Sequence, residues 1–130
     1  MKKRFYLILA ILVLALALIT PQLFAQYNRD VVVSAMHNNV RLLGEINSAL
    51  NAKDFYTTGL RLMELAEGTY SLSQMAPPRG SQAEWTRIQR EITAAAFRGI
   101  GACGEEDAAK VQAEIGKIVA LRNEGHSKFR

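Results

Sequence analysis

A single cysteine, Cys103, in 130 residues rules out an internal disulfide, so the fold must be held by packing. Its plainest role is that of a small buried residue near a helix end rather than a reactive thiol. Proline is scarce, with Pro21, Pro77 and Pro78 the only three, so long stretches are free of the residue that most disrupts helices. Beyond the first 25 residues there is no strand-like alternation and no Asn-Gly hairpin signal, which argues against a β fold. Excess charge is also missing. The formal net charge is +4, but setting aside Lys2, Lys3 and Arg4 from the 16 basic residues leaves 13 against 12 acids. A nearly neutral body does not make a basic nucleic-acid surface. No H-E-x-x-H, phosphate-cradling glycine loop or G-x-S-x-G elbow occurs, and the scattered Asp and Glu read as a solvated face, so no enzyme is expected.

What is present begins with an export signal. Lys2, Lys3 and Arg4 precede an apolar run from Phe5 to Ile19, and Pro21 and the small Ala25 follow. The run falls short of the roughly 20 apolar residues a membrane-spanning helix needs. We therefore expect cleavage after Ala25 and release into the periplasm, with retention as an uncleaved anchor the alternative, since Leu23 is large for such a site. Residues 26–130 then form one domain of ordinary size, with no stable membrane insertion.

Four amphipathic segments account for that domain. Val32, Met36, Val40, Leu43, Ile46 and Leu50 recur at three- and four-residue steps and predict a first helix over about 28–51. Asp54 caps a second over 54–75, carrying Leu60, Met63, Leu65, Ala66, Leu72 and Met75. Pro77 and Pro78 force a central loop. Ser81 and Glu84 form a capping box for a third helix over 82–101, with Trp85, Ile88, Ile92, Ala95 and Ile100 on its apolar side. Gly101 and Gly104 break it, and Glu105, Glu106 and Asp107 open a fourth over 105–129, marked by Val111, Ile115, Ile118, Val119 and Phe129. Four such helices on short loops predict an all-α, antiparallel up-down-up-down four-helix bundle.

The chain closes on Arg122-Asn123-Glu124-Gly125-His126-Ser127-Lys128-Phe129-Arg130. A histidine, two residues, an aromatic and an arginine at the end of the fourth helix of an exported bundle resemble the haem-binding helix of the cytochrome c-prime family. The double proline and the capped, tryptophan-bearing third helix extend the resemblance over nearly the whole mature chain. One departure matters. The family's C-x-x-C-H attaches haem through two thiols, and here those positions are Arg122 and Gly125, so no thioether can form at this site. The ending is more similar to the soluble b-type bundle cytochromes, which hold haem without covalent links and place an arginine four residues before the ligand histidine and a methionine on the first helix.

This resemblance implies non-covalent haem b, with Met36 and His126 as axial iron ligands, Arg122 beside the haem edge and Leu43, Trp85 and Phe129 among the cofactor contacts. It also implies electron exchange with periplasmic redox proteins, and it allows a homodimer. Helix geometry permits the ligand pair: at 1.5 Å per residue Met36 lies about 12 Å from the start of its helix and His126 about 6 Å from the end of its own. Met36 shares a heptad face with Leu43 and Leu50, which turns it inward.

Each residue also has a plainer reading: Met36 as core filler, His126 as a last-turn imidazolium favoured by the helix dipole, Arg122 as a solvated charge, Trp85 and Phe129 as core. His37 points about 100° away from Met36 and reads as surface, with a His37–His126 pair as a minor alternative. Two further readings compete: a haem-free relative serving as a protein-interaction or sensor module, and a zinc- or copper-binding bundle using His126 and Met36.

Overall fold

Each helix begins on a side chain able to stand in for the missing preceding turn. In the computed structural model, which describes residues 25–130 together with Tyr6, Ile8 and Ile11, Asn28 Oδ1 accepts from the amides of Asp30 and Val31 and opens α1 (Arg29–Asn51). Asp54 opens α2 (Phe55–Ser73), Ser81 opens α3 (Gln82–Gly104) and Asp107 opens α4 (Ala108–Phe129), each accepting from the amide three residues on. The expected leader with its basic Lys2, Lys3 and Arg4 lies outside the described residues, apart from Tyr6, Ile8, Ile11 and Ala25. Among the described residues there is no β-strand, only an isolated bridge between Ala25 and Met75, and no helix is long and apolar enough to cross a membrane.

The four helices form a bundle in which each packs closely on its neighbour in sequence, α1 on α2, α2 on α3 and α3 on α4. Leu42, Ile46, Leu62, Leu65, Trp85, Ile88, Val111 and Ile118 are sealed in the shared core. Burying side chains of this size contributes roughly 1.5–3 kcal/mol each before the entropy of ordering them is counted.

The turns differ from expectation in an informative way. Gly101 and Gly104 do not break the third helix, which runs through both to residue 104. The reversal is made instead by Glu106 in the left-handed region at φ 54°, with Glu106 N–H bonding Cys103 O and Asp107 N–H bonding Ala102 O. This is a Schellman closure. It recurs after α1, where Lys53 at φ 57° takes the left-handed place and the amides of Lys53 and Asp54 reach Leu50 O and Ala49 O. Neither left-handed residue is glycine, and so neither turn carries the usual sequence mark.

The buried face of α2 also departs from the hydrophobicity pattern. Leu60 and Met63, expected inside, are 46% and 38% exposed, while Thr58 and Thr69 are buried. The two threonines donate to Asp54 O and Leu65 O one turn back, so they enter the core with their hydroxyls satisfied. Val40 and Val119, expected on apolar faces, are exposed as well. The second helix ends at Ser73 rather than Met75. Ser81 caps α3 as expected, but the Glu84 carboxylate does not fold back to the cap: it pairs with Arg87 and Lys128, linking the start of α3 to the end of α4.

Candidate functional site

The close packing that joins sequence neighbours is absent between α1 and α4, which do not press on each other along their length. A cleft of about 370 Å³ opens there. That volume lies in the range of small-molecule and cofactor sites, about 300–1,000 Å³. Val33, Met36 and Val40 border it from α1, and Leu121, Arg122 and His126 from α4. Val40 is thus exposed for a local reason, since the surface it should meet on α4 stands across an open space.

The inner wall comes from α2 and α3, through Leu65, Thr69, Gln89 and Ile92. Trp85 and Phe129 border the cleft together and pack edge to face with ring centroids 5.2 Å apart. No planar molecule fits between rings in that contact, so the pair makes one wall and not two faces of a sandwich. The Trp85 indole N–H donates to Leu72 O at 2.8 Å, and the ring is buried, which fixes this wall in place. Phe129 is backed in turn by Gly80 of the central loop, whose φ of 82° favours glycine and where an added Cβ would stand a tight 3.3 Å from the phenyl ring.

Every residue picked out from the sequence as a candidate therefore borders one space: Met36, Leu43, Trp85, Arg122, His126 and Phe129 all line the cleft. Met36 and Leu43 are half-buried and pack against the core. Exposed His37 lies on the rim of the same cleft. Arg130, one turn beyond His126, also borders it and was not singled out as a site residue, although its spacing of four from His126 was visible. Gln89 gave no such signal, because a glutamine inside a helix ordinarily reads as surface.

The electrostatics around His126 oppose protonation. Burial, followed by the positive charges of Arg122 and Arg130, pushes its imidazole below the ordinary value of 6.5. The helix C-terminus alone would favour the imidazolium, but these effects outweigh it and leave a neutral ring with a nitrogen lone pair. A neutral ring is the form that can ligate a metal.

The chemistry of the donor set decides which groups fit. Among the described residues there is no cluster of three His, Cys, Asp or Glu side chains able to hold a metal ion on their own. A hard or closed tetrahedral site is therefore poorly served. One thioether and one neutral imidazole, on the two helices that flank an apolar cleft and with guanidinium groups beside it, instead suit a metal that brings its own equatorial ligands and carboxylates.

Elsewhere the α3–α4 seam is laced by ion pairs, with Arg87 reaching Glu84, Glu91 and Glu124, and Lys128 reaching Glu84 and Glu124. These exposed groups hold α4 to α3 on the side away from the cleft and contribute little individually. Cys103 is buried and its thiol is pushed up by burial, in keeping with a packing role.

No protein-family model matches the chain, and no curated protein or solved structure is similar to it at a significant level.

Proposed function

We propose that this protein is an exported b-type cytochrome of the up-down-up-down bundle kind, holding haem b without covalent links and carrying one electron between periplasmic redox proteins. The observation that carries the reading is the α1–α4 cleft, which brings Met36 and His126 to the same space. Haem, when bound, supplies a one-electron Fe(III)/Fe(II) couple. The chain's own residues supply the rest. Met36 offers a thioether and His126 a ring kept neutral by burial and by Arg122 and Arg130. Arg122 and Arg130 provide guanidinium donors for carboxylate groups. The apolar walls from Leu43, Leu65, Ile92 and Leu121 exclude water. With Met36 and His126 both holding the iron, the group would serve electron transfer rather than oxygen chemistry.

The test is titration of the purified protein with haemin, followed by reduction and absorption spectroscopy. The reading expects one equivalent bound and low-spin Soret and α bands, with the bands lost or converted to high spin in His126→Ala and Met36→Ala. Material that stays colourless, or a spectrum indifferent to His126→Ala, ends it.

A further inference from the structure

The inner wall of the cleft holds a polar group that nothing in the fold uses. Gln89 on α3 is 95% buried, at 5% relative exposure, yet its side-chain amide has no hydrogen-bond partner among the described residues, although its backbone carbonyl accepts from Thr93 Oγ1 at 2.9 Å. Among the described residues no fully enclosed side-chain nitrogen or oxygen lacks a partner. The amide must therefore touch open space, and the space Gln89 borders is the cleft. Its polar neighbours are already satisfied: Thr69 Oγ1 lies 3.0 Å from Leu65 O and 2.8 Å from Thr93 Oγ1. The Gln89 amide, with one acceptor oxygen and two N–H donors, is left as the polar feature of an otherwise apolar back wall.

An amide facing an open cleft is met by water, and it becomes costly when an occupant displaces that water without offering a hydrogen bond in return. The guanidinium groups belong to a different wall. Arg122 lies on α4 and Arg130 just beyond its end, both bordering the cleft, and Arg130 is exposed. A porphyrin whose carboxylates face those arginines turns its opposite, uncharged edge inward. We infer that Gln89 is a specificity-determining residue of the haem site, making the cleft prefer a macrocycle whose inward edge bears a hydroxyl or carbonyl substituent over one with plain hydrocarbon substituents. The inference rests on the proposed haem reading. It adds to that reading a direction of insertion and a chemical choice among iron porphyrins.

The experiment compares three iron porphyrins that differ at the two uncharged edge substituents: vinyl in haemin, ethyl in iron mesoporphyrin IX and 1-hydroxyethyl in iron haematoporphyrin IX. Each is titrated into the purified wild-type protein and into Gln89→Leu and Gln89→Met, which remove the amide at similar volume. Two apolar variants are used so that poor folding of one does not decide the outcome, and circular dichroism confirms the fold of each. Wild type is expected to bind the hydroxyethyl compound about tenfold more tightly than the ethyl compound, the ratio that one hydrogen bond made or left unmade implies. In both variants that preference disappears or reverses, while the low-spin spectrum persists because Met36 and His126 are untouched. Equal binding of all three by wild type, or a preference that survives in the variants, overturns the role of Gln89 and leaves the haem reading standing. Failure of wild type to bind any of the three overturns both.

Discussion

Gly80 supports the α1–α4 cleft from outside it, and replacing it tests whether that support is structural. Its φ of 82° lies in the left-handed region, and a Cβ built there would stand 3.3 Å from Phe129 Cε1 and 3.4 Å from Cδ1. For Gly80→Ala the backbone term costs about 1–2 kcal/mol. Loss of unfolded-state freedom returns roughly 0.4–1 kcal/mol of this. The contact adds a second cost, because Phe129 can retreat only by disturbing its edge-to-face packing on Trp85, a contact worth about 0.5–1.5 kcal/mol. Trp85 cannot follow easily, since its indole is tied to Leu72 O. The net expectation is a loss of about 1–2 kcal/mol, or on the order of 5–10 °C in melting temperature for a domain of this size. Urea unfolding followed by tryptophan fluorescence measures it, since Trp85 is the sole tryptophan. Gly80→Asn separates the two terms. Asparagine tolerates the left-handed region but still carries the Cβ, so it should retain the contact cost and shed much of the backbone cost. A Gly80→Ala protein within about 0.5 kcal/mol of wild type would refute the reasoning, because both terms would then be absent.

Two further predictions follow from the turns and from His126. Glu106→Gly, which relieves a left-handed non-glycine residue in the Schellman turn, should raise stability by about 0.5–1 kcal/mol in denaturant unfolding; an unchanged or lowered midpoint counts against the turn as described. The lowered pKa of His126 means that the unfolded chain takes up its proton at a higher pH than the folded chain does. Its contribution to stability is therefore complete above the ordinary value of 6.5 and falls away as pH drops through 6.5 towards the folded value. Burial comes first among the causes, and Arg122 on α4 and Arg130 just beyond its end add to it. Unfolding of the ligand-free protein between pH 8 and pH 4.5, in wild type and His126→Gln, measures the effect. Parallel profiles for the two would remove His126 as a source of the pH dependence.

The helices were legible because the forces that make them are local. Asp54 and Ser81 were readable as caps, each offering an acceptor to an amide three residues away, while Asn28 and Asp107, at or near the starts the pattern gave, prove to cap in the same way. Less legible were features that depend on satisfaction rather than on hydrophobicity. Thr58 and Thr69 reach the core because each hydroxyl finds a carbonyl on its own helix; a hydropathy pattern instead turns the face towards Leu60 and Met63. The stop of α3 was similarly obscured, because Glu106 occupies the place where glycine usually announces the end and Gly101 and Gly104 lie inside the helix; α1 ends at Asn51, where the pattern placed it, although Lys53 makes a turn of the same kind. For the candidate site, the spacing of Arg122 and His126 drew attention to the end of α4, whereas Gln89 became visible only when the residue proved to be on the inner wall of the cleft with its amide unpartnered.

Along α1, the sequence pattern carries more meaning than a count of core residues suggests. Val32, Leu42, Ile46 and Leu50 are buried by protein, whereas Val33 and Val40 are exposed and Met36 and Leu43 half-buried, all four bordering the cleft. Hydrophobic periodicity reports that a face avoids water, without distinguishing burial against another helix from burial against a ligand. A helix needing only to pack on α2 would gain nothing from Val33 and Val40, since residues facing an open cleft can be polar at no cost to the core. On the proposed reading, the surplus apolar width of α1 is the surface of a binding wall. An occupant of the proposed kind would be apolar on its faces and polar at the positions that meet Arg122, Arg130 and Gln89. If Val33 and Val40 serve such an occupant, Val40→Asn should leave the stability of the ligand-free protein nearly unchanged while weakening haemin binding.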